Sequence, residues 1–156
     1  MKIYIGSDHA GYEMKEKLKT FLVSLGYEVE DRGAFEFNKD DDYPDFVKPV
    51  AEAVVADKNS MGIILGASGQ GEAICANKIK GARAVVYYGS NGLQRDIKGK
   101  MLGIITSTRK HNDANILSLG ARFISLRRAK KVVKVFLETK FSGDERHVRR
   151  INKIEN

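Results

Sequence analysis

A serine and a glutamate stand in and just after a dense run of glycines within Met61–Lys78, MGIILGASGQGEAICANK. The turn Gly66-Ala67-Ser68-Gly69-Gln70-Gly71 leads straight into Glu72. Glycines let a backbone bend sharply and bring its N–H groups close to a ligand. When such a turn opens a helix, the unpaired amides of the first turn make an anion site. A carboxylate at that lip is a candidate general base, and the amides are candidates to hold a negative oxygen. Together they are the equipment of proton abstraction through an oxyanion intermediate. The helix dipole at this point is expected to favour the charged form of Glu72. The spacing Gly-x-x-Gly-x-Gly is not the dinucleotide fingerprint, and no Gly-Lys-Ser/Thr follows, which excludes a P-loop. Taken alone, the same turn would serve as an ordinary tight strand-to-helix connection, so other residues must decide.

Three histidines, His9, His111 and His147, all fall outside the apolar patterns. His9 follows Asp8 at the end of the first strand pattern. His111 lies in Arg-Lys-His-Asn-Asp-Ala-Asn (109–115), and His147 in Glu-Arg-His-Val-Arg-Arg (145–150). For one histidine alone a surface or structural role is the better reading, but three, each beside Asp, Asn or Arg at an element boundary, point the other way. Zinc is a weak reading because no short His-x-x-x-His pair is present. The one cysteine, Cys75, rules out an internal disulfide framework or a cysteine metal cage. Its neighbours Ile74 and Ala76 mark it as packing rather than as a nucleophile.

The elements that must position these groups follow from periodicity. Lys2–Ser7 is a strand, followed by a helix with Met14, Leu18, Phe21, Leu22 and Leu25 on one face and Gly26 as its stop. Tyr27–Asp31 is a second strand, and Asn38–Asp45 an acidic loop. Phe46, Val47, Val50, Ala51 and Val54 trace a second helix, with Pro49 expected in its early turns, where a missing N–H is tolerated. Met61–Leu65 is a third strand, buried on both faces, and Ala82–Tyr88 a fourth. Residues 89–110 read as loop and helix, Ile116–Leu119 as a fifth strand and Leu126–Thr139 as a helix. Asp144–Glu155 is a charged terminal helix whose apolar contacts are expected from Val148, Ile151 and Ile154. Strands alternating with helices at this spacing call for an α/β fold, a doubly wound parallel sheet of five strands. Ligands bind such sheets beyond the carboxyl ends of the strands, where Asp8, His9 and the glycine turn fall.

The 156 residues, 42% hydrophobic and 30% charged, are expected to form one globular domain, 1–156, with no linker or repeat. Met1-Lys2-Ile3-Tyr4 runs directly into a strand pattern, and no run is long and apolar enough for a membrane helix. A cytoplasmic address without membrane contact is the expectation. The net charge of +7 is uneven: residues 1–78 hold 9 Lys and Arg against 14 Asp and Glu, and residues 79–156 hold 18 against 6. A basic half can meet nucleic acid, a phosphorylated metabolite or an acidic partner. Nucleic acid is disfavoured, because there is no aromatic-rich RNA signature, no zinc finger and no Trp.

Seven motifs now stand in order over nearly the whole chain. They are Ser-Asp-His-Ala-Gly (7–11), Asp-Tyr-Pro (42–44), Gly-Ala-Ser-Gly-Gln-Gly-Glu (66–72), Ala-Asn-Lys (76–78), His-Asn-Asp-Ala-Asn (111–115), Leu-Gly-Ala-Arg (119–122) and Arg-His-Val-Arg-Arg (146–150). With them the sequence resembles the ribose-5-phosphate isomerase B family, which also includes galactose-6-phosphate isomerase subunits and allose-phosphate isomerases. The resemblance implies a Rossmann-like sheet, no metal and no cofactor. It also implies a homodimer or homotetramer with shared sites, and a C-terminal helix extending to a partner subunit.

The implied reaction is aldose–ketose isomerisation of a phosphosugar through a cis-enediolate, ribose 5-phosphate to ribulose 5-phosphate. A hexose-6-phosphate isomerase, or a non-catalytic sugar-phosphate binder on the same fold, are the alternatives. Many members place a cysteine base just before the glycine turn, where this chain has Gly66. Another branch carries a glutamate just after it, which matches Glu72. The enediolate oxygen falls to the N–H groups of Ala67, Ser68, Gly69, Gln70 and Gly71 with the Ser68 hydroxyl. Ring opening falls to His111, with Asp8 and Tyr43 close by, and Asn112 joins the substrate contacts. The phosphate falls to His9, Arg122, Arg146 and Arg150, the last two reaching into the neighbour's pocket. One departure stands out: the segment between Tyr88 and His111 is longer than is usual in the family, with Gly99–Thr106 additional. That length offers room for a larger sugar.

Overall fold

In the computed structural model, which describes residues 1–89, 92–96 and 99–156, the strands pair in parallel and helices cover both faces. The described elements run β1 (Lys2–Ser7), α1 (Tyr12–Ser24), β2 (Glu28–Asp31), α2 (Pro44–Ala56), β3 (Ser60–Gly66), α3 (Gln70–Ala76), β4 (Ala84–Tyr87), β5 (Leu93–Arg95), β6 (Met101–Gly103), α4 (Ile104–Asn112), β7 (Ile116–Gly120), α5 (Leu126–Glu138) and α6 (Glu145–Glu155). Five strands form one parallel sheet in the order β2-β1-β3-β7-β4. The chain leaves β1 for β2 on one side and later returns to β3 on the other. The switch point of this sheet is therefore the β1–β3 pair, whose register sets Ser7 opposite Leu65.

Alternation of side chains explains the unbroken apolar runs. Ile3, Ile5, Ile63, Leu65, Leu117 and Leu119 point into the core shared with α1, α4 and α5; Tyr4, Ile64 and Ile116 point into that shared with α2 and α3. Helix α5 buries Ala129, Val132, Val133, Phe136 and Leu137, the face its periodicity gives, and Ser125 caps it by accepting from Arg128 N. Helix α1 ends as expected, with Gly26 just beyond it at φ 85°. Its Lys15 is fully buried, and its ammonium lies 2.6 Å from Asp31 and 2.9 Å from Glu16.

Three parts differ from the sequence expectation. Pro49 lies inside α2, in its second turn, so an i→i−4 hydrogen bond to Asp45 O is lost rather than spared. Of the stretch 89–110, residues 90, 91, 97 and 98 lie outside the described ones. The remainder holds an antiparallel pair, β5 with β6, ahead of α4. Leu93–Arg95 is exposed throughout and so carries no inside–outside alternation to read. In α6 two of the three expected apolar contacts are exposed, Val148 at 39% and Ile154 at 67%, and Ile151 is half-buried. The buried residue of the helix is His147, stacked on His111 with ring centroids 4.4 Å apart at 14°. Glu155 adds an ion pair to Arg83 at 2.9 Å.

Arg109 holds the corner between α4 and β7. Its guanidinium, buried over the Phe136 ring, donates to Asp113 at 2.9 Å, to Ala114 O at 2.6 Å and to Thr139 O at 3.1 Å. Arg109→Ala is expected to lower the unfolding free energy by about 3 kcal/mol, because buried carbonyls and a carboxylate lose their donor. Urea denaturation followed by circular dichroism measures it, and Lys at this position should recover only a minor part.

Candidate active site

Beyond the carboxyl ends of β1 and β3, the first residue of interest is Asp8, 7% exposed. Its Oδ1 accepts from Ala10 N at 3.0 Å and Gly11 N at 3.3 Å. Burial pushes its carboxyl up, against the pull of the Gly11 and Ala10 amides and of His9, and Asp41 adds a further push upward. Gly11 is glycine for a steric reason. A β-carbon there would stand 2.6 Å from Leu65 Cβ and 2.9 Å from Leu65 O, so α1 could not start so close to β3.

The glycine turn is built around Glu72. This residue is only 4% exposed, and its carboxylate lies against the α-carbon of Gly66: a β-carbon at position 66 would overlap Oε1 and Cδ of Glu72. The place a side chain at 66 would fill is thus taken by the carboxylate. Burial pushes the carboxyl above the ordinary glutamate range; its own N–H pulls it back, Asp8 pushes it further up, and Gly69 N–H pulls it down. The α3 N-terminus was expected to favour the charged form, and its amides do so, but loss of water outweighs them. Gly69 has φ 78°, its carbonyl accepts from the buried Ser118 hydroxyl at 2.6 Å, and Ala73 N donates to the same carbonyl. Gly120 presses on the turn from β7, leaving no room for a β-carbon beside Ser68 O. The Ser68 hydroxyl accepts from Gln70 N at 3.2 Å, which leaves its own hydrogen to donate. The N–H groups of Ala67, Ser68 and Gly71 have no hydrogen-bond partner among the described residues.

Two further expected residues join this edge. Tyr43 closes on Gly71, where a β-carbon would stand 2.9 Å from the Tyr43 hydroxyl. His9 and Arg122 line a groove of about 450 Å³ together with Ala10, Met14, Phe37 and Ala121. Arg122 is set there by Arg122 N donating to Ala67 O, next to Ala121 N donating to Gly66 O. Cys75 is half-buried against the α2 side of the core, and burial pushes its thiol up, away from nucleophilic use.

The other expected residues stand elsewhere in the chain. Helix α4 runs back across the sheet and ends ahead of β7, so His111 and Asn112 lie at the amino edge of the strands, opposite the glycine turn. His111 is near Ser107 Oγ at 3.2 Å and Gln94 Nε2 at 3.5 Å, and stacks on His147; it is not grouped with Asp8 or Tyr43. Arg146 and Arg150 ride on α6 at that same edge, with Arg146 Nε donating to His147 Nε2 at 3.2 Å. His147 is pushed down by its burial, by His111 and by Arg146. One edge thus brings together Asp8, Asp41 and Glu72 with His9 and Arg122, and Glu13 and Lys17 also line the groove there. The other holds two histidines and the terminal arginines.

Several residues in the recognised motifs turn out to be structural. Asn77 bridges α3 to β4, donating to Ala84 O at 3.0 Å and accepting from Ala84 N at 2.7 Å. Asn115 accepts from Arg83 N at 2.7 Å and donates to Gly81 O. Such amides at strand ends satisfy backbone groups that pairing leaves free. Asp41 was not singled out by the sequence, yet its Oδ1 receives both the backbone N–H and the ring of His9.

A family model described as ribose/galactose isomerase matches residues 3–98 and 101–154. The chain belongs to that family. Within the ribose/galactose isomerases it is 39% identical to ribose-5-phosphate isomerase B of Mycolicibacterium paratuberculosis over 152 residues, covering 97% of this chain and 88% of the relative. The structure of Clostridium thermocellum ribose-5-phosphate isomerase B superposes with a TM-score of 0.86 at 42% identity, over 99% of this chain and 95% of that one. That of the Mycoplasma genitalium enzyme with bound ribulose-5-phosphate superposes with a TM-score of 0.87 at 34% identity, over 99% and 93%. The match to the ribose/galactose isomerase family resumes at residue 101. Most of the Gly99–Thr106 stretch expected to be additional therefore belongs to the family pattern, and only residues 99 and 100 fall outside it.

The contact between Gly66 and Glu72 can be tested without any assay of turnover. Gly66→Ala is expected to destabilise the fold by about 1–3 kcal/mol, because the new β-carbon must displace a packed carboxylate. Adding Glu72→Ala, which vacates that space, should restore part of the loss, read as non-additive melting temperatures.

Proposed function

We propose that this chain, as one domain over 1–156, isomerises ribose 5-phosphate and ribulose 5-phosphate. The observation that carries the reading is the buried Glu72 carboxylate on the bare α-carbon of Gly66, with free amides of the glycine turn beside it. The pentose is favoured over a hexose by the relatives named ribose-5-phosphate isomerase B and by the neighbour that holds ribulose-5-phosphate. A cytoplasmic working place fits relatives that are metabolic enzymes, and no described helix is long and apolar enough to cross a membrane.

The steps follow from the geometry. With the sugar open, Glu72 takes the proton from C2; the C–H electron pair forms the C1–C2 double bond, and the aldehyde oxygen becomes the enediolate oxyanion. The N–H groups of Ala67, Ser68 and Gly71 with the Ser68 hydroxyl hold that charge. A proton passes from O2 to O1, and Glu72 returns its proton to C1, leaving the carbonyl at C2. A carboxylate whose proton affinity is raised by burial suits both halves of this transfer. His9 and Arg122 hold the phosphate from within the chain.

His111, Asn112, Arg146 and Arg150 complete the site from a second copy in this reading, since a chain cannot bring its own amino edge to its carboxyl edge. The acidic edge and the basic edge complement one another in charge, as an interface between copies requires. His111 then opens the furanose ring, and the terminal arginines close on the phosphate.

Isomerisation of a panel of aldose phosphates, with chelator present, tests the substrate and the reaction together. In that assay Glu72→Gln should keep phosphosugar binding and lose at least about a hundredfold in kcat. The acid limb of wild-type kcat/KM should lie above the ordinary glutamate value of about 4.3. The raised proton affinity also has a stability sign. The folded state gains from holding the proton at low pH and loses that gain as pH rises through the raised folded value. The melting temperature of Glu72→Gln relative to wild type should therefore increase across that window.

Mixing tests the shared site. Glu72→Gln and His111→Ala chains, each inactive alone, should on subunit exchange regain about a quarter of wild-type turnover, because one site in each mixed pair is intact. Absence of rescue despite exchange would place the whole site in one copy.

A further inference from the structure

Asp41 comes from an acidic loop whose composition suggests nothing but solvation, yet its side chain is only 7% exposed. Asn38 shapes the loop: its carbonyl accepts from Asp41 N at 3.2 Å and its side-chain oxygen from Asp40 N at 3.1 Å. The turn carries Asp41 in beside His9. There a single oxygen, Oδ1, receives His9 N at 3.0 Å and His9 Nδ1 at 2.7 Å. The other oxygen, Oδ2, is buried with no hydrogen-bond partner among the described residues. Burying a carboxylate with one oxygen unmet costs stability, so the residue is a poor choice for holding a loop together. What it does well is fix a histidine.

A carboxylate on Nδ1 makes that nitrogen a donor and favours the ring carrying both protons, so Nε2–H is the donor left for an anionic ligand. The ring also meets Phe37 in a T-shaped contact, with centroids 6.4 Å apart, and Phe37 in turn meets Tyr12. Backbone, ring nitrogen and ring of His9 are therefore all in contact, on the rim of the groove that Arg122 shares. We propose that Asp41 is a positioning residue for phosphate recognition: it locks His9 so that Nε2 faces the phosphate of the sugar across from Arg122. The inference rests on the reading of this groove as the phosphate site. The second carboxylate near His9, Asp8, has its Oδ1 engaged by the Ala10 and Gly11 amides, which leaves the ring to Asp41.

A double-mutant cycle measured with inorganic phosphate as the probe decides the matter. Binding to wild type, Asp41→Ala, His9→Ala and the double variant is followed by calorimetry, with urea melts to verify folding. Asp41→Ala should weaken phosphate about tenfold in the wild-type background and have no further effect once His9 is gone. Asp41→Asn, which keeps the volume and one acceptor, should weaken it severalfold and serves if the alanine variant does not fold. In the isomerase assay the same changes should fall on KM more than on kcat. Equal losses in both backgrounds, or none, would overturn the proposal, as would a wild type that does not bind phosphate. Isomerisation with a flat cycle sinks only this inference. A coupled cycle without isomerisation sinks only the reaction.

Discussion

Glu72 can rest on Gly66 because position 66 has no side chain, and the carboxyl edge of the sheet is arranged around that contact. Placing a carboxylate so deep removes its water, which raises its hold on a proton and demands compensation from nearby N–H groups. The turn supplies them only while Gly69 keeps its left-handed backbone, and Ser118 fixes that backbone from β7. Gly120 must then be bare for β7 to press on Ser68. A chain of small residues is thus required for one acidic group to sit where it does. The same space cannot hold both this carboxylate and a side chain at position 66. A cysteine there and a glutamate at 72 in its present position are mutually exclusive by volume alone.

The parallel sheet decides what can meet what. All carboxyl ends lie on one edge, so Asp8 after β1, the glycine turn after β3 and Arg122 after β7 gather without any further device. The same rule sends the last turn of α4 to the far edge. There the His111–His147 stack, the Arg83–Glu155 pair and the Arg109 fork make one rigid corner that carries the terminal arginines. Its rigidity matters more than its location. Groups presented on packed helices hold their geometry better than groups on a free tail.

Much of this was readable from residues in a row. Short runs such as Gly-Ile-Ile-Leu and Ile-Leu-Ser-Leu, each next to glycine, fit strands buried on both sides, and Leu18, Leu22, Val132, Val133 and Phe136 mark their helices by spacing. The glycine turn with Glu72 was legible only in company, because the turn alone fits an ordinary strand-to-helix connection and the other six motifs give it its meaning. What stayed hidden depends on distance in space. Nothing about Asp41 distinguishes it from Asp40 or Asp42 until the loop folds under His9. His147 reads as one polar residue among arginines, and only its stacking partner buries it in preference to Val148. The β5–β6 pair is too short and too exposed to leave a period. At Glu72 the pull of the helix dipole is visible in sequence, whereas the depth of burial that outweighs it is not.

The division of the charged groups between two edges has a corollary for how activity begins. A newly made copy carries a carboxylate of raised proton affinity with neither His111 nor the terminal arginines in front of it, and on the proposed reading it is chemically idle. At low abundance the onset of turnover then rises with the square of protein concentration, so output is governed by encounter rather than by synthesis alone.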